Sequence, residues 1–492
     1  MAETGFRDSP LLSIIQGAGW HIIGKLVANF FGLFTTMLLT RGLGASVYGI
    51  FALCLTIVSV IGSVSNLGSD KAVLKFLAED EADKGSQLGF SYIVVVFGGG
   101  IAGAILYIVA PIISSYTVSN NTFIISLRLF ALYIVINPIT VVTANALRAF
   151  NLPEYSSLIS RISRAATKFV CVLGAFLLST SIFGFIIAVL ISSSATVLIG
   201  LAIIIRKTSV RPEIPGDEFQ FGSYLNFSIP LAFKDAGSVL YTRVDILMLG
   251  IFAASASVGQ YQVTILLSTV LTMPLSAINQ IFPPIISNLN DQGETEELAQ
   301  IYSTVTRWTF AATIPMAVGL IAYRYEILAL FGKGFTTAAF VLVVLTVGQL
   351  TNAFVGPSGY LLMMTDHQYV ITTNQWIFGL LNVAGNLLLI QWYGVLGAAI
   401  ATATTLTLIN LARLIQVYYF EGMHPLTSKI SKPIVAVGVM LTAILGIQAV
   451  FDGRSSLVLG LVVAPITYFG CLTVFGLEPE DKELITKAKE NF

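Results

Sequence analysis

The sequence is a series of long apolar stretches separated by short polar breaks, and this pattern limits the possible folds more than any other feature. A helix that crosses the hydrocarbon core of a bilayer needs about 20 predominantly apolar residues. Fourteen stretches meet this requirement: 12–40, 46–69, 87–113, 121–146, 154–179, 182–205, 223–250, 256–282, 303–325, 335–362, 368–391, 394–418, 431–450 and 455–476. We therefore predict an all-α, polytopic membrane protein with about 14 transmembrane helices.

The composition supports a membrane protein. Only 11% of the 492 residues are charged, and 55% are hydrophobic. A soluble domain carries about 25% charged residues, whereas a charge at the centre of a bilayer costs roughly 2.5–3.5 kcal/mol. The formal net charge is zero, so no overall positive field would attract a nucleic acid. We predict no nucleic-acid partner.

The distribution of Lys and Arg predicts the orientation in the membrane. If the N-terminus is cytoplasmic, the cytoplasmic side receives Lys71, Lys75, Lys84, Arg148, Arg161, Arg164, Arg206, Lys207, Arg211, Arg413, Lys429 and Lys432. The outer side receives only Arg41, Arg128, Arg324, Lys333 and Arg454. Because positive charges collect on the cytoplasmic side, we expect both termini to be cytoplasmic.

Short motifs recur at a nearly constant offset, which indicates an internal duplication. The matching pairs are Val47–Phe51 with Ser257–Tyr261, Leu147–Tyr155 with Leu361–Tyr369, and Phe183–Ala188 with Leu396–Ala401. Their offsets are 210, 214 and 213 residues. Two six-helix halves in the same orientation form a parallel repeat, and in such transporters the substrate site lies between the halves.

The repeat predicts three regions. Residues 1–206 would form an N-terminal six-helix lobe, and residues 207–420 a parallel C-terminal six-helix lobe. Residues 421–492 would add two extra transmembrane helices and a cytoplasmic tail. We also expect residues 285–303 to form a short surface helix, because they are rich in Asn and Glu.

The first span contains polar residues on one helical face. His21, Lys25 and Asn29 follow each other at intervals of four residues, which places them on the same side of a helix. This pattern favours a wet, cationic face lining a cavity. The alternative is that Lys25 extends to the cytoplasmic interface, but Lys25 lies more than three turns into the span.

The seventh span carries both signs of charge. Lys234 and Asp245 share one helical face, while Asp235 and Arg243 lie off it. At the repeat offset of 210 residues, Lys25 corresponds to Asp235. Charged positions therefore recur in the first helix of each half. The alternative is internal pairing that only joins helices, because a neutral pair costs less to bury than a lone charge.

No pattern in the sequence predicts an enzyme. The connections are short, and no nucleophile elbow, P-loop or metal-ligand spacing is present in them. Gly98–Gly103 matches a dinucleotide-binding pattern, but it lies in the middle of a span, where small residues serve helix packing. We predict no catalytic residue, no metal site and no cofactor.

The order of several motifs resembles one transporter family. The motifs are Leu39–Gly44 with Val47–Gly49, Asn66–Gly68, Ala146–Ala149, Tyr224 with Ser228–Leu231, Asp245 with Leu249–Gly250, Val258–Tyr261, and Phe282–Pro283. From about Ile14 to Leu477 the chain resembles the Wzx-like oligosaccharide and polysaccharide flippases. These belong to the superfamily that includes the multidrug and toxin extrusion proteins.

The resemblance implies a transport activity. Such proteins move a lipid-linked oligosaccharide or a lipid-phosphate sugar from the cytoplasmic to the outer leaflet by alternating access, for surface polysaccharide or glycoprotein assembly. The partners would be this lipid-linked saccharide and the membrane lipids, with coupling to H⁺ or Na⁺ left open. The resemblance is to prokaryotic exporters, so we expect the plasma membrane as the location.

The resemblance also implies roles for the charged residues. A cavity between the lobes would offer Lys25, His21, Asn29, Lys234 and Arg243 to the substrate phosphate. Asp235, Asp245 and Asp70 would serve ion coupling or charge pairing. Two alternatives stay open. A cation-coupled multidrug or metabolite exporter should have an acid-lined, aromatic pocket, and a non-transporting scaffold of the cell envelope should have all its membrane charges paired.

Overall fold

The computed structural model describes residues 10–79, 83–178, 181–216, 219–425 and 427–476, without the side chains of residues 10–23 and 233–241. All regular secondary structure within these ranges is helical. The first helices are α1 (Pro10–Ser65), α2 (Ser69–Phe76), α3 (Lys84–Tyr116), α4 (Asn121–Ala149), α5 (Pro153–Ser157), α6 (Arg164–Leu178), α7 (Ile182–Lys207), α8 (Phe221–Thr242) and α9 (Val244–Phe252). A π-helix, Leu158–Ser163, joins α5 to α6.

The remaining helices are α10 (Ser255–Thr269), α11 (Met273–Gln292), α12 (Thr295–Ala322), α13 (Arg324–Ala329), α14 (Ala339–Val355), α15 (Ser358–Met364), α16 (Gln368–Glu421), α17 (Ser431–Val450) and α18 (Gly453–Phe475). Short 3₁₀ turns cover Val270–Thr272, Lys333–Ala338 and Ser428–Ile430.

Ten helical segments among the described residues are long and apolar enough to cross a membrane. Two of them are pairs of helices that meet at a glycine with a positive φ, Gly44 (φ 70°) in α1 and Gly394 (φ 56°) in α16. Glycine adopts these backbone angles without a steric penalty. Both glycines lie at breaks between the predicted spans. The chain is therefore a multi-pass, all-α membrane protein, as predicted.

The fifth and seventh predicted spans are interrupted helices. The fifth is assembled from α5, the π-helix and α6. The seventh is divided into α8 and α9 at Arg243, whose backbone (φ −135°, ψ −5°) is not helical. The described helices overlap each of the fourteen predicted stretches.

The prediction of a separate surface helix at 285–303 is wrong. Residues up to Gln292 continue α11, and α12 begins at Thr295. Only Gly293, with φ 75°, and Glu294 separate the two helices. The polar composition reflects exposed ends of two long helices, because a helix can continue beyond the apolar stretch that defines a span.

The structure divides the chain into two compact units. The first comprises Met1–Gln262 and Ile390–Val395, and the second comprises Val263–Leu389 and Leu396–Phe492. The six-helix lobes expected from the internal repeat, 1–206 and 207–420, stay a prediction.

In the first unit, α4 is central and contacts α1, α2, α3 and α7. The approach of α3 depends on glycine. A Cβ atom on Gly99 would lie 3.0 Å from the Ile134 carbonyl oxygen, and one on Gly103 would lie 3.1 Å from that of Ala131. The glycine-rich run therefore serves close helix packing, as predicted.

Gly49 and Gly259, which the predicted repeat relates to each other, pack against each other in the first unit. A Cβ atom on Gly49 would lie 1.7 Å from the Ser255 carbonyl oxygen and 3.0 Å from the Gly259 nitrogen. One on Gly259 would lie 2.4 Å from the Ala45 carbonyl oxygen. The backbones of α1 and α10 thus touch at a crossing that has no room for a side chain.

In the second unit, α12 packs against α14 and α17, and α17 packs against α18. The Tyr468 hydroxyl of α18 donates to the Ala311 carbonyl at 2.7 Å, and the Gln448 amide of α17 donates to that of Ala322 at 3.1 Å. The two C-terminal helices are therefore held to α12 by polar contacts as well as by apolar packing.

Candidate functional site

The early part of α1 packs closely against the end of α5 and the π-helix that follows it in the fifth span. A Cβ atom on Gly24 would lie 3.1 Å from the Ser157 hydroxyl oxygen and 3.4 Å from the Arg161 Cδ atom. The next residue, Lys25, is half-buried and has a repulsive electrostatic interaction with Arg161. Two like charges in a partly desolvated place repel each other. An anion bound between them would relieve that repulsion.

Arg164 extends the positive charge deeper into the first unit. Its guanidinium donates to the Asn137 side-chain oxygen and, at 3.1 Å, to the Tyr133 hydroxyl, both on α4. Lys168, one turn further along α6, interacts electrostatically with Arg164 and Tyr133. Neutral dipoles thus hold the guanidinium in position without neutralising its charge.

We call Lys25, Arg161, Arg164 and Lys168 the basic cluster. Arg164 and Lys168 are four residues apart in α6, which places them on one helical face, and Arg161 precedes them in the π-helix. Among the described residues, no carboxylate forms an ion pair with Lys25, Arg164 or Lys168. Ionisable groups inside a membrane protein are functional candidates by default, and the positive charges of Lys25, Arg164 and Lys168 suit an anionic ligand.

Most of this cluster was not predicted as a site from the sequence. Arg161 and Arg164 served only to predict the orientation, and Lys168 was not among the predicted residues. The signal was present, because three basic residues recur at helical spacing at the start of an otherwise apolar stretch. The π-helix next to them is also a feature that occurs frequently at functional sites.

The structure describes only some of the other residues predicted to line the cationic face. Asn29 is half-buried, one turn after Lys25 in α1. The side chains of His21 in α1 and of Lys234 and Asp235 in α8 lie outside the described residues. Their roles stay predictions.

Asp245 is a buried carboxylate with well-defined partners. One of its oxygens accepts a hydrogen bond from the Tyr261 hydroxyl at 2.8 Å, and the other accepts one from the Ile246 nitrogen at 2.8 Å. Asp245 lies in the first turn of α9, where the helix dipole favours a negative charge. Arg243 is exposed and interacts electrostatically with Asp245, so the structure brings these two predicted residues together.

Asp70 lies in a polar turn at the end of the second span. The Asn66 amide approaches its carboxylate at 3.5 Å, and the Lys71 ammonium lies 4.0 Å away. The Asn145 amide of α4 donates to the Asp70 carbonyl at 2.7 Å. Gly68, with φ 72°, closes this turn and donates to the Asn66 side-chain oxygen at 2.9 Å.

The apolar helices define a polytopic, all-α membrane protein. A family model described as polysaccharide biosynthesis protein matches residues 14–289, and the MatE model matches residues 230–362. The first match covers more than half of the 492 residues. The chain therefore belongs to the polysaccharide biosynthesis protein family, which confirms the resemblance to the Wzx-like flippases.

Curated relatives come from archaea. The chain is 22% identical over 513 aligned positions to an uncharacterised membrane protein of Methanocaldococcus jannaschii, covering 96% of this chain and 98% of the relative. It is 31% identical over 209 positions to the probable flippase AglR of Haloferax volcanii, covering 41% and 43%. The probable low-salt glycan biosynthesis flippase Agl15 of the same organism is 25% identical over 182 positions, covering 37% and 39%.

Solved structures share the fold. The lipid II flippase MurJ, in an inward closed conformation, superposes with a TM-score of 0.75 at 16% identity, covering 92% of this chain and 98% of that one. An inward-facing multidrug resistance MATE family transporter of the MOP superfamily gives 0.61 at 14% identity, covering 80% and 94%. These likenesses support the predicted all-α transporter fold.

Proposed function

We propose that this protein moves a lipid-linked oligosaccharide or lipid-phosphate sugar from the cytoplasmic to the outer leaflet. The observation that carries the proposal is the basic cluster, in which Lys25, Arg164 and Lys168 have no described carboxylate as an ion-pair partner. The family membership and the two Haloferax volcanii relatives described as probable flippases support the same activity.

The chemistry of the cluster suits a phosphate or pyrophosphate. The planar guanidinium of Arg164 can donate two parallel hydrogen bonds to phosphate oxygens, and Lys25 and Lys168 act as point charges. Partial burial strengthens these interactions, because the local dielectric constant is lower than that of water. The lipid tail of the substrate could stay in the bilayer while the head group occupies the hydrated, cationic face.

The other candidates have supporting roles in this proposal. His21 and Asn29 would extend the cationic face along α1, and Lys234 and Arg243 would contribute from the seventh span. Asp70, Asp235 and Asp245 would serve charge pairing or coupling to H⁺ or Na⁺. These roles rest on helical position and on the described contacts of Asp70, Arg243 and Asp245.

We also propose an orientation in the membrane and a transport cycle. Lobes 1–206 and 207–420 would expose the site alternately to the two sides of the membrane. Both termini would be cytoplasmic in the plasma membrane, because Lys and Arg collect on that side. The protein would act without a catalytic residue, a metal or a cofactor.

Translocation in reconstituted vesicles tests the proposal. Purified protein is incorporated into liposomes with a fluorescent polyprenyl-pyrophosphate saccharide, and the fraction that moves between the leaflets is measured by chemical quenching. We expect Arg164→Ala and Lys25→Ala to slow translocation about tenfold or more, because each removes a charged contact worth roughly 1.5–3 kcal/mol. Lys333→Ala, at an exposed position, is the matched control. Wild-type translocation rates in both Arg164→Ala and Lys25→Ala would refute the assignment of the basic cluster as the substrate site.

The MatE match over residues 230–362 supports a second candidate, the export of an organic cation. Such a substrate would be repelled by the basic cluster, whereas the buried carboxylate of Asp245 could attract it. Uptake of a cationic dye by the same vesicles separates the two functions. Dye transport without movement of the lipid-linked saccharide would favour the exporter, and activity towards neither substrate would favour the envelope scaffold.

A further inference from the structure

A second feature of the first unit is a groove between α3 and α4, remote in sequence from the basic cluster. Its volume is about 720 Å³, within the roughly 300–1,000 Å³ typical of small-molecule sites. On α3 the lining residue Gly100 has nothing within 4 Å of its Cβ position and Ala104 is small, which leaves space beside the helix. On α4 the lining is mostly aliphatic, with Leu132 as an example.

The walls of the groove are apolar and open to the outside of the unit. The Ile108 side chain is 73% exposed and that of Leu132 is 58% exposed. In a multi-pass membrane protein, exposed aliphatic side chains in the middle of apolar helices face lipid chains. The space between these walls is therefore suited to a hydrocarbon chain rather than to a polar solute.

Arg128 is the one charged residue that lines the groove in the part of the chain that the structure describes. Its position follows from a proline in α3. Pro111 has no N–H group, so the Tyr107 carbonyl four residues earlier loses its helical donor. The Arg128 Nε atom donates to that carbonyl at 3.2 Å, and the guanidinium lies 4.7 Å from the centre of the Tyr107 ring.

These two contacts fix the guanidinium and leave its terminal nitrogens available. A guanidinium has five N–H donors, and the contact with Tyr107 uses one of them. Within the described ranges, Arg128 has no other hydrogen bond and no ion pair. Its four remaining N–H groups match the geometry of a phosphate.

The depth of Arg128 also fits a lipid phosphate. Arg128 follows the start of α4 at Asn121 by seven residues, which is about 10 Å at 1.5 Å per residue. The polar connection at residues 117–120 lies just beyond that helix end. Arg128 is thus near the level where the lipid head groups of that leaflet meet the hydrocarbon.

We infer that the α3–α4 groove binds a phosphate-headed membrane lipid. The phosphate contacts the terminal nitrogens of Arg128, and one hydrocarbon chain lies along Gly100, Ala104 and Leu132. The occupant is a bilayer lipid of the leaflet at the 117–120 connection. This site is independent of the proposed transport substrate and of the orientation of the protein.

Native mass spectrometry of the delipidated full-length protein tests the inference. The protein is titrated with dioleoyl phosphatidylglycerol, with dioleoylglycerol, which lacks the phosphate, and with inorganic phosphate. We expect one tight phosphatidylglycerol per chain and about tenfold weaker binding of dioleoylglycerol, because a charge-assisted contact is lost. Arg128→Ala should abolish this preference, and Arg128→Lys should keep part of it.

A groove-filling variant provides evidence that does not depend on Arg128. Gly100 has open space around its Cβ position, so the Gly100→Leu variant should fold. It should weaken the binding of both lipids about tenfold or more, because the leucine side chain occupies the place of the hydrocarbon chain. Gly174 in α6 also has open space, and Gly174→Leu is the matched control with wild-type binding. Equal binding of the two lipids, tight phosphatidylglycerol binding by Arg128→Ala or Gly100→Leu, or competition by inorganic phosphate at similar affinity would overturn the inference.

Discussion

Replacing Gly68 by alanine should destabilise the protein in two separable ways. Gly68 has φ 72° and ψ 11°, in the left-handed region. A Cβ atom there would lie 2.2 Å from the Ser228 carbonyl oxygen of α8. Gly68 also closes the turn that positions Asp70. Gly68→Ala therefore adds backbone strain and a steric clash at the contact with the seventh span.

A second glycine isolates the backbone contribution. Gly422, at the end of α16, has nearly the same backbone angles, φ 69° and ψ 9°, but nothing lies within 4 Å of its Cβ position. The left-handed conformation should cost alanine about 1–2 kcal/mol at either site. The clash at Gly68 should add about 1–3 kcal/mol, the usual cost of overpacking.

Thermal unfolding of the two variants in detergent measures the difference. An unfolding entropy of about 2.1 cal/mol/K per residue corresponds to roughly 1 kcal/mol per degree for a chain of 492 residues. We expect Gly422→Ala to lower the midpoint by about 1–2 °C and Gly68→Ala by about 2–5 °C. Equal shifts of the two unfolding midpoints would show that the Ser228 carbonyl of α8 does not lie against Gly68, and would refute the predicted clash.

Three further predictions concern stability. Tyr261→Phe removes a hydrogen bond from the buried Asp245 carboxylate and should cost about 1.5–3 kcal/mol; in a double-mutant cycle with Asp245→Asn, additive effects would contradict the pairing. Ser86 lowers the pKa of the Asp83 carboxyl through hydrogen bonds from its side chain and its backbone. The stability from this interaction is present above the unfolded-state pKa of about 3.9 and is lost as the pH falls through the lower folded-state pKa. The difference in unfolding free energy between the wild type and Asp83→Ala should therefore become smaller in acid. A difference that does not change with pH would contradict this. Gly348→Ala would place a Cβ atom 2.8 Å from the facing helix and should cost up to about 2 kcal/mol, since overpacking exceeds the gain in helix propensity; an unchanged or higher unfolding midpoint would contradict this.

The spans were predictable because the bilayer imposes a minimum length on each of them. The predicted stretch 431–450 coincides with α17, and the breaks near Gly44 and Gly394 were visible as interruptions between apolar runs. Hydropathy does not indicate whether a helix continues into water. For this reason α11 extends to Gln292, and the separate surface helix predicted at 285–303 is absent.

The candidate site was predictable only in part. Lys25 and Asp245 were recognised because a charge in an apolar stretch is conspicuous in sequence. Arg164 was misjudged because it lies close to the predicted cytoplasmic end of its span, where arginines are expected. Its contacts with Tyr133 and Asn137 depend on how α5 and the π-helix place the start of α6 beside α4, and tertiary packing of this kind leaves no local sequence signature.

The contact between Gly49 and Gly259 has an evolutionary consequence. After a gene duplication, corresponding positions in the two copies normally diverge, because each copy acquires different neighbours. Here each glycine is part of the other's surroundings, so a larger residue at one position cannot be accommodated by a change at the other. Selection would then keep glycine at both positions, and the predicted duplication would stay recognisable at this crossing even where the rest of the repeat had diverged.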